Sequence, residues 1–139
     1  MVASRGHRRL AIMVLGDDAG RLHMALRTGA AAASMGAKVT YFFSGSALHL
    51  LTLDRAEATA GEKGGGQAAL AARQADAGVA DTNVLLDALA AMDVEMIACE
   101  TSLKTEGLTP DDLITRPRVD IGGLPAFMEH AMGGDWLTF

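Results

Sequence analysis

The chain has 139 residues, of which 50% are hydrophobic but only 4% aromatic, and its formal net charge at pH 7 is −5. This length fits a single domain with one sizeable core, which Ala, Leu, Val and Met side chains must fill. The acidic balance and the shortage of aromatic rings exclude the basic, base-stacking surfaces typical of nucleic-acid binders. The single cysteine, Cys99, cannot form an intramolecular disulfide, so nothing indicates an oxidising compartment.

The first apolar run, residues 10–15, ends at Gly16 and predicts a strand that is covered on both faces. Basic residues precede this run as in a signal peptide, but Asp17 and Asp18 follow it where a small-residue cleavage site should lie. No stretch approaches the roughly 20 apolar residues that a membrane span requires. We therefore expect a cytoplasmic protein with no membrane segment.

The next residues predict a helix and a second strand. Asp17 and Asp18 are suited to cap a helix that ends at Gly36, and residues 38–43 (KVTYFF) are typical of a buried strand. A strand, a helix and a strand in such close succession form a βαβ unit, in which the strands are parallel and the crossover is right-handed.

A less regular stretch follows. Residues 54–80 are rich in Gly and Ala and predict a flexible or lid-like insertion into the single domain. A plain surface loop is the interpretation we favour, and a lid over a site is the alternative.

The rest of the chain alternates helix and strand signals. In chain order they are a helix from Asp81 or Thr82, a strand over 94–99, a short helix over 102–106, a helix start at Thr109 and Pro110, a strand over 119–121, a helix over 124–132 and a strand over 136–139. This alternation predicts an α/β fold of flavodoxin type, a three-layer sandwich with a mostly parallel sheet of about five strands.

Ligands of an open α/β sheet bind beyond the carboxyl ends of the strands. Three predicted features lie at that edge: the rim loop Gly16, Asp17 and Asp18, the rim loop Ser44 and Gly45, and Cys99 with the residues after it. Only Cys99 among them is a nucleophile. It ends a strand shortly before a predicted helix, so unpaired N–H groups at the helix start can favour its reactive thiolate form.

Several neighbours bear on the ionisation of Cys99. Those that follow it in sequence are two hydroxyls and two charges: Thr101, Ser102, Lys104 and Glu100. His49, in the loop after the second strand, is a candidate acid or base towards the thiol. The alternative is that Cys99 is a small buried hydrophobic residue, and its position alone favours this alternative.

Other chemistry has weaker support. Asp17 and Asp18 lack a His or Glu partner at metal-ligand spacing, and their loop has neither a GxGxxG pattern nor a Walker lysine, so helix capping is the better interpretation. A GxSxG elbow and a CxxC pair are also missing from the sequence. We expect no metal and no other cofactor.

Three stretches, taken in order, carry a resemblance to a known family. They are residues 10–45 (LAIMVLGDDAGRLHMALRTGAAAASMGAKVTYFFSG), residues 87–108 (DALAAMDVEMIACETSLKTEGL) and residues 119–131 (VDIGGLPAFMEHA). Together they cover most of residues 9–132, and they resemble the DsrE/DsrF/DsrH-like family, which contains sulfur-relay proteins.

The resemblance implies a DsrE-like fold and a function. Active members carry a persulfide on a cysteine and pass its outer sulfur to a thiol of another protein, and Cys99 matches the position of that cysteine. The chain is thereby predicted to be a sulfur carrier or sulfurtransferase, with donor and acceptor proteins as partners and a homo-oligomer, a trimer or hexamer, as its assembly. Because some members lack the cysteine, the alternative is a non-catalytic oligomer subunit or a small-ligand binding module.

Two departures separate the chain from the nearest, often membrane-linked branch of the family. Residues 100–103 (ETSL) stand where that branch has a Met-rich stretch, so its acceptor surface is not carried over. The Gly- and Ala-rich 53–80 loop argues against membrane attachment. A thiol sensor or peroxidase has less support than a carrier because no second cysteine is present to resolve an oxidised thiol.

Overall fold

The computed structural model describes residues 8–53, 55 and 66–139. Its elements in chain order are β1 (Arg9–Val14), α1 (Ala19–Ser34), β2 (Lys38–Phe43), a 3₁₀ segment (Gly45–Leu51), α2 (Gln67–Ala77), α3 (Thr82–Ala91), β3 (Glu95–Cys99), α4 (Glu100–Thr105), a 3₁₀ turn (Pro110–Asp112), β4 (Val119–Gly122), α5 (Leu124–Ala131) and β5 (Asp135–Thr138).

The described strands form one sheet of five, in the order β4-β3-β2-β1-β5, and every neighbouring pair is parallel. The predicted α/β sandwich is therefore confirmed, with a sheet that is parallel throughout. Because all the strands run the same way, their carboxyl ends meet at one edge, which brings the residues after Phe43, Cys99 and Gly122 together.

Two apolar layers of unequal size cover the sheet. On one face Leu26 of α1 and Leu89 of α3 pack with Tyr41 and other side chains from the strands. On the other face a smaller layer joins Phe42 to Phe127 of the short helix α5. Alternation along β2 explains this division, since successive side chains of a strand point to opposite faces.

Local capping determines where α1 and α3 begin, as the sequence predicted. The Asp18 carboxylate accepts a hydrogen bond from the backbone N–H of Arg21 at 2.8 Å, and Asp81 accepts one from Val84 at 3.0 Å. Each bond satisfies one of the N–H groups that have no partner inside the first helical turn. Gly36, just past the end of α1, has a φ of 93°, a conformation that favours glycine.

Two expectations about secondary structure were wrong. The plain surface loop favoured over 54–80 contains helix α2, Gln67–Ala77, because the Ala, Leu, Arg and Gln residues after the glycines favour a helix. A flexible or lid-like role of this insertion stays a prediction. Residues 54 and 56–65 of that insertion lie outside the described residues. The helix start at Thr109 makes only the 3₁₀ turn Pro110–Asp112, because Leu113 then forms a β-bridge with Thr52.

Gly29 lets α1 lie close to β2, and replacing it tests how tightly this layer is packed. A Cβ at Gly29 would overlap the hydroxyl and ring of Tyr41, which is fully buried and donates to the carbonyl oxygen of Ala25 at 2.8 Å. We expect Gly29→Ala to lower the free energy of unfolding by about 1–3 kcal/mol through overpacking, although Ala favours a helix. Urea denaturation followed by circular dichroism measures this change.

Gly20→Ala is the matched control, since its Cβ would meet only the Asp18 carboxylate at 3.6 Å. We expect that variant to be as stable as the original chain or more so, because alanine favours a helix over glycine by up to about 1 kcal/mol. Equal effects of the two substitutions would contradict close packing at Gly29.

Candidate thiol site

Cys99 is both the last residue of β3 and the residue that caps α4. Helix α4 begins directly at Glu100, two residues earlier than the sequence predicted, so its first N–H groups lie next to the sulfur. Cys99 is a partly exposed residue and packs against the smaller apolar layer. Its partner across the sheet is Gly122, so β4 places no side chain beside the sulfur.

Hydrogen-bond donors of this chain surround the sulfur. Burial raises the pKa of the Cys99 thiol, but hydrogen bonds from the Ser102 hydroxyl and N–H, the Ser44 hydroxyl and the Thr101 N–H lower it, and the net pKa lies below the ordinary value. A thiolate is the nucleophilic form of cysteine, so this environment enriches the reactive species near neutral pH. The arrangement suits attack on a sulfur electrophile and departure of a sulfur anion.

Ser102 connects Cys99 to the rim loop after β2. Its side-chain oxygen accepts a hydrogen bond from the backbone N–H of Gly45 at 2.8 Å and lies 3.1 Å from the hydroxyl oxygen of Ser44. Ser102 is only 8% exposed. Two rim features that the sequence indicated separately, Ser44 with Gly45 and Cys99 with Ser102, are thus one site.

The charged neighbours of Cys99 lie on the surface. Glu100 and Lys104 are exposed, and within the described residues neither forms an ion pair. His49 lies on the 3₁₀ segment, where its Nε2 is 2.8 Å from a carboxylate oxygen of Glu106, the residue after α4. An acid or base role of His49 towards the thiol therefore stays a prediction, and its observed contact links α4 to the 3₁₀ segment.

The remaining rim loop borders a separate cavity. Gly16, Asp17 and Asp18 line a space of about 430 Å³ at the ends of β1 and β5, and Cys99 does not contribute to its wall. Across residues 8–53, 55 and 66–139, no group of three or more His, Cys, Asp or Glu side chains is placed to hold a metal ion. In that same part of the chain, no helix has the length and apolar character needed to cross a membrane.

Sequence reasoning missed one residue opposite Cys99, Gly122, and one contact between residues that it had named separately, the hydrogen bond from Gly45 to Ser102. Gly122 pairs with Cys99 because β4 lies next to β3 in the sheet, and the Gly45–Ser102 hydrogen bond joins residues that are 57 positions apart in sequence. The only signal for either was the rule that parallel strands end at one edge, and this rule does not specify which loops touch.

The contact between His49 and Glu106 allows the role of His49 to be tested. Both side chains are partly exposed, so we expect their pair to contribute no more than about 1 kcal/mol to stability in a double-mutant cycle. His49→Ala and Glu106→Ala should leave the rate of Cys99 alkylation within about twofold of the original, because neither supplies a donor to the sulfur. A large loss in His49→Ala with none in Glu106→Ala would support direct acid–base participation instead.

Comparison with known proteins agrees with this fold. The structure is similar to the crystal structure of the ychN protein from E. coli, with a TM-score of 0.66 and 20% identity, covering 95% of this chain and 99% of that one. It is also similar to MTH1491, described as a protein of unknown function from Methanobacterium thermoautotrophicum, with a TM-score of 0.64, 14% identity and the same coverage of 95% and 99%. At these identities the likeness shows the fold alone.

No curated protein matches the sequence. The family model described as the DsrE/DsrF-like family matches residues 9–139, which is almost the whole chain and includes every residue of the thiol site. The chain therefore belongs to the DsrE/DsrF-like family, in agreement with the resemblance of its sequence.

Proposed function

We propose that this protein is a sulfur carrier that holds a persulfide on Cys99 and passes the outer sulfur to a thiol of a partner protein. The observation that carries the proposal is Cys99 itself, a partly exposed residue whose thiol has a lowered pKa because hydrogen bonds from Ser102, Ser44 and Thr101 outweigh the effect of burial. Membership of a family that is associated with sulfur relay supports the same function.

Loading begins with a donor persulfide, R–S–SH. The Cys99 thiolate attacks the outer sulfur of the donor, so that a bond forms between Sγ and that sulfur while the sulfur–sulfur bond of the donor breaks. The donor leaves as R–S⁻ and takes up a proton, and Cys99 becomes Cys–S–SH. No external oxidant or reductant is needed, because the oxidised outer sulfur simply changes its carrier.

Unloading is the same exchange in reverse. An acceptor thiolate attacks the outer sulfur, the bond between that sulfur and Sγ breaks, and the electron pair returns to Sγ. A thiol with a lowered pKa is the better leaving group, so the hydrogen bonds that favour the thiolate in loading also favour its departure in unloading. One set of donors therefore serves both half-reactions.

The partners and surroundings follow from the same proposal. Donor and acceptor are proteins that present a thiol or persulfide to the sheet edge in the cytoplasm. Self-association into a homo-oligomer is supported by exposed apolar side chains around α5 and β5: Leu124 is 45% exposed, Met132 64% and Trp136 40%.

The pH dependence of thiol alkylation tests the state of Cys99. Because the pKa of the folded thiol lies below its ordinary value, the rate of iodoacetamide modification should stay high to lower pH than in the unfolded chain, and should fall as the pH drops through the folded pKa. Mass spectrometry of timed samples gives the pH midpoint. The same chain in concentrated urea is the control, and equal midpoints in both states would contradict an activated thiol.

Direct sulfur loading tests the function itself. After incubation with a persulfide donor such as glutathione persulfide, we expect intact-protein mass spectrometry to show the gain of one sulfur atom, reversible by dithiothreitol. Cys99→Ser keeps the size of the side chain and should gain nothing. If the original chain also stays unmodified, it is a non-catalytic subunit or a binding module rather than a carrier.

A further inference from the structure

The hydroxyl of Ser102 is held from two sides. A serine oxygen has two lone pairs and one hydrogen. The N–H of Gly45 occupies one lone pair at 2.8 Å, and the Ser44 hydroxyl lies within hydrogen-bond distance of the same oxygen at 3.1 Å. Ser102 is also buried, with 8% of its surface exposed, so water has little access to compete for its hydrogen.

We infer that the Ser44–Gly45 turn is a positioning element that commits the Ser102 hydroxyl to donate its hydrogen to the Cys99 sulfur, with Ser44 as a second, adjustable donor. This inference rests on the proposed function, because Ser102 and Ser44 would stabilise the sulfur anion during sulfur transfer. Ser102 acts on the thiol itself, since its hydroxyl is among the hydrogen-bond donors that lower the pKa of Cys99, whereas Gly45 acts through Ser102, to which its N–H donates.

The backbone of Gly45 explains why the turn is rigid. Its φ of 59° lies in the left-handed region, and a Cβ at this position would come within 3.0 Å of the carbonyl oxygen of Leu15. The neighbouring Ser44 N–H donates to the carbonyl oxygen of Val14 at 2.9 Å. The end of β1 therefore fixes the turn, and the direction of the Gly45 N–H does not depend on the charge of the sulfur.

The two hydroxyls have unequal freedom. Because Gly45 approaches Ser102 as a donor, the Ser102 hydrogen must point elsewhere, and the sulfur is the acceptor that gains a negative charge in the reaction. Ser44 can turn its hydrogen to Ser102 when the sulfur is a neutral thiol, and to the sulfur when it is an anion. Removing Ser102 should therefore affect the sulfur more than removing Ser44.

Alkylation profiles of three variants test this order. We expect the pH midpoint of Cys99 alkylation to rise most in Ser102→Ala, less in Ser44→Ala and not at all in Thr101→Ala. Loss of a hydrogen bond to a charged group predicts a fall in the thiolate fraction at neutral pH of up to about tenfold in Ser102→Ala. Thr101→Ala is the matched control, because Thr101 is exposed and its effect on the Cys99 pKa comes from its backbone N–H, which the substitution keeps.

Rescue separates a hydrogen-bonding role from a merely structural one. Ser102→Thr keeps the hydroxyl and should return the midpoint towards that of the original chain, whereas a packing defect would not respond to the hydroxyl. A midpoint of Ser102→Ala equal to that of Thr101→Ala overturns the inference, and so does a larger shift in Ser44→Ala than in Ser102→Ala. If circular dichroism shows that Ser102→Ala does not fold, the test is made with Ser44→Ala alone. An alkylation midpoint of Ser44→Ala equal to that of the original chain then overturns the inference.

The result does not depend on sulfur loading. Alkylation needs no persulfide, so the predicted order of midpoints supports the assignment of Ser102 even in a chain that takes no sulfur from a donor. Such a chain would refute the proposed carrier function alone. Conversely, if the chain loads sulfur but all its variants have equal pH midpoints, the carrier function is supported and the role assigned to Ser102 is refuted.

Discussion

The thiol site depends on the parallel alignment of β2 and β3. Phe43 pairs with Ala98 in their register, so the next residues along the two strands, Ser44 and Cys99, leave the sheet side by side. A slip of one residue would turn the side chain of Cys99 to the opposite face, away from the hydroxyls that now surround it. The packing of Ile97 against Phe42 in the smaller apolar layer opposes such a slip of β3, since Ile97 would exchange faces together with Cys99.

The two faces of the sheet are covered by apolar layers of different size, and this difference affects the exposure of Cys99. The larger layer includes side chains from α1, α3 and the 3₁₀ segment and holds most of the buried apolar residues. Cys99 contacts the smaller layer, in which α5 is the helix that contributes, and the residue is partly exposed at the edge of the sheet. The fold thus separates two requirements, because stability comes mainly from one face and access to the sulfur comes from the other.

Local features made much of the fold predictable from sequence. Apolar runs ending in glycine located the strands, and Asp18 and Asp81 act as the helix caps that the sequence indicated. Helix α2 was missed because glycines before Gln67 outweighed the helix-favouring residues after it. The position of Cys99 at a strand end was also predictable, since it needed only the pattern of its own segment.

Most contacts of the site could not be predicted in this way. Ser44 and Ser102 are 58 positions apart, and His49 and Glu106 are 57 apart, so no local pattern relates the members of either pair. Their contacts depend on which strands are neighbours and on how far each loop extends past the sheet. Neither property can be read from a short segment of the sequence, because both depend on the complete fold. The family resemblance identified the cysteine but not the groups that donate hydrogen bonds to it.

Docking of a partner protein makes the origin of these donors important. A partner that covers Cys99 removes water from the sulfur, which increases the effect of burial and by itself raises the pKa of the thiol. Donors supplied by water would be lost at that moment, whereas those of Ser102, Ser44 and Thr101 belong to the chain and stay in place. Because hydrogen bonds to an anion strengthen as the surrounding dielectric constant falls, the sulfur anion would keep its stabilisation inside the complex that the proposed transfer requires.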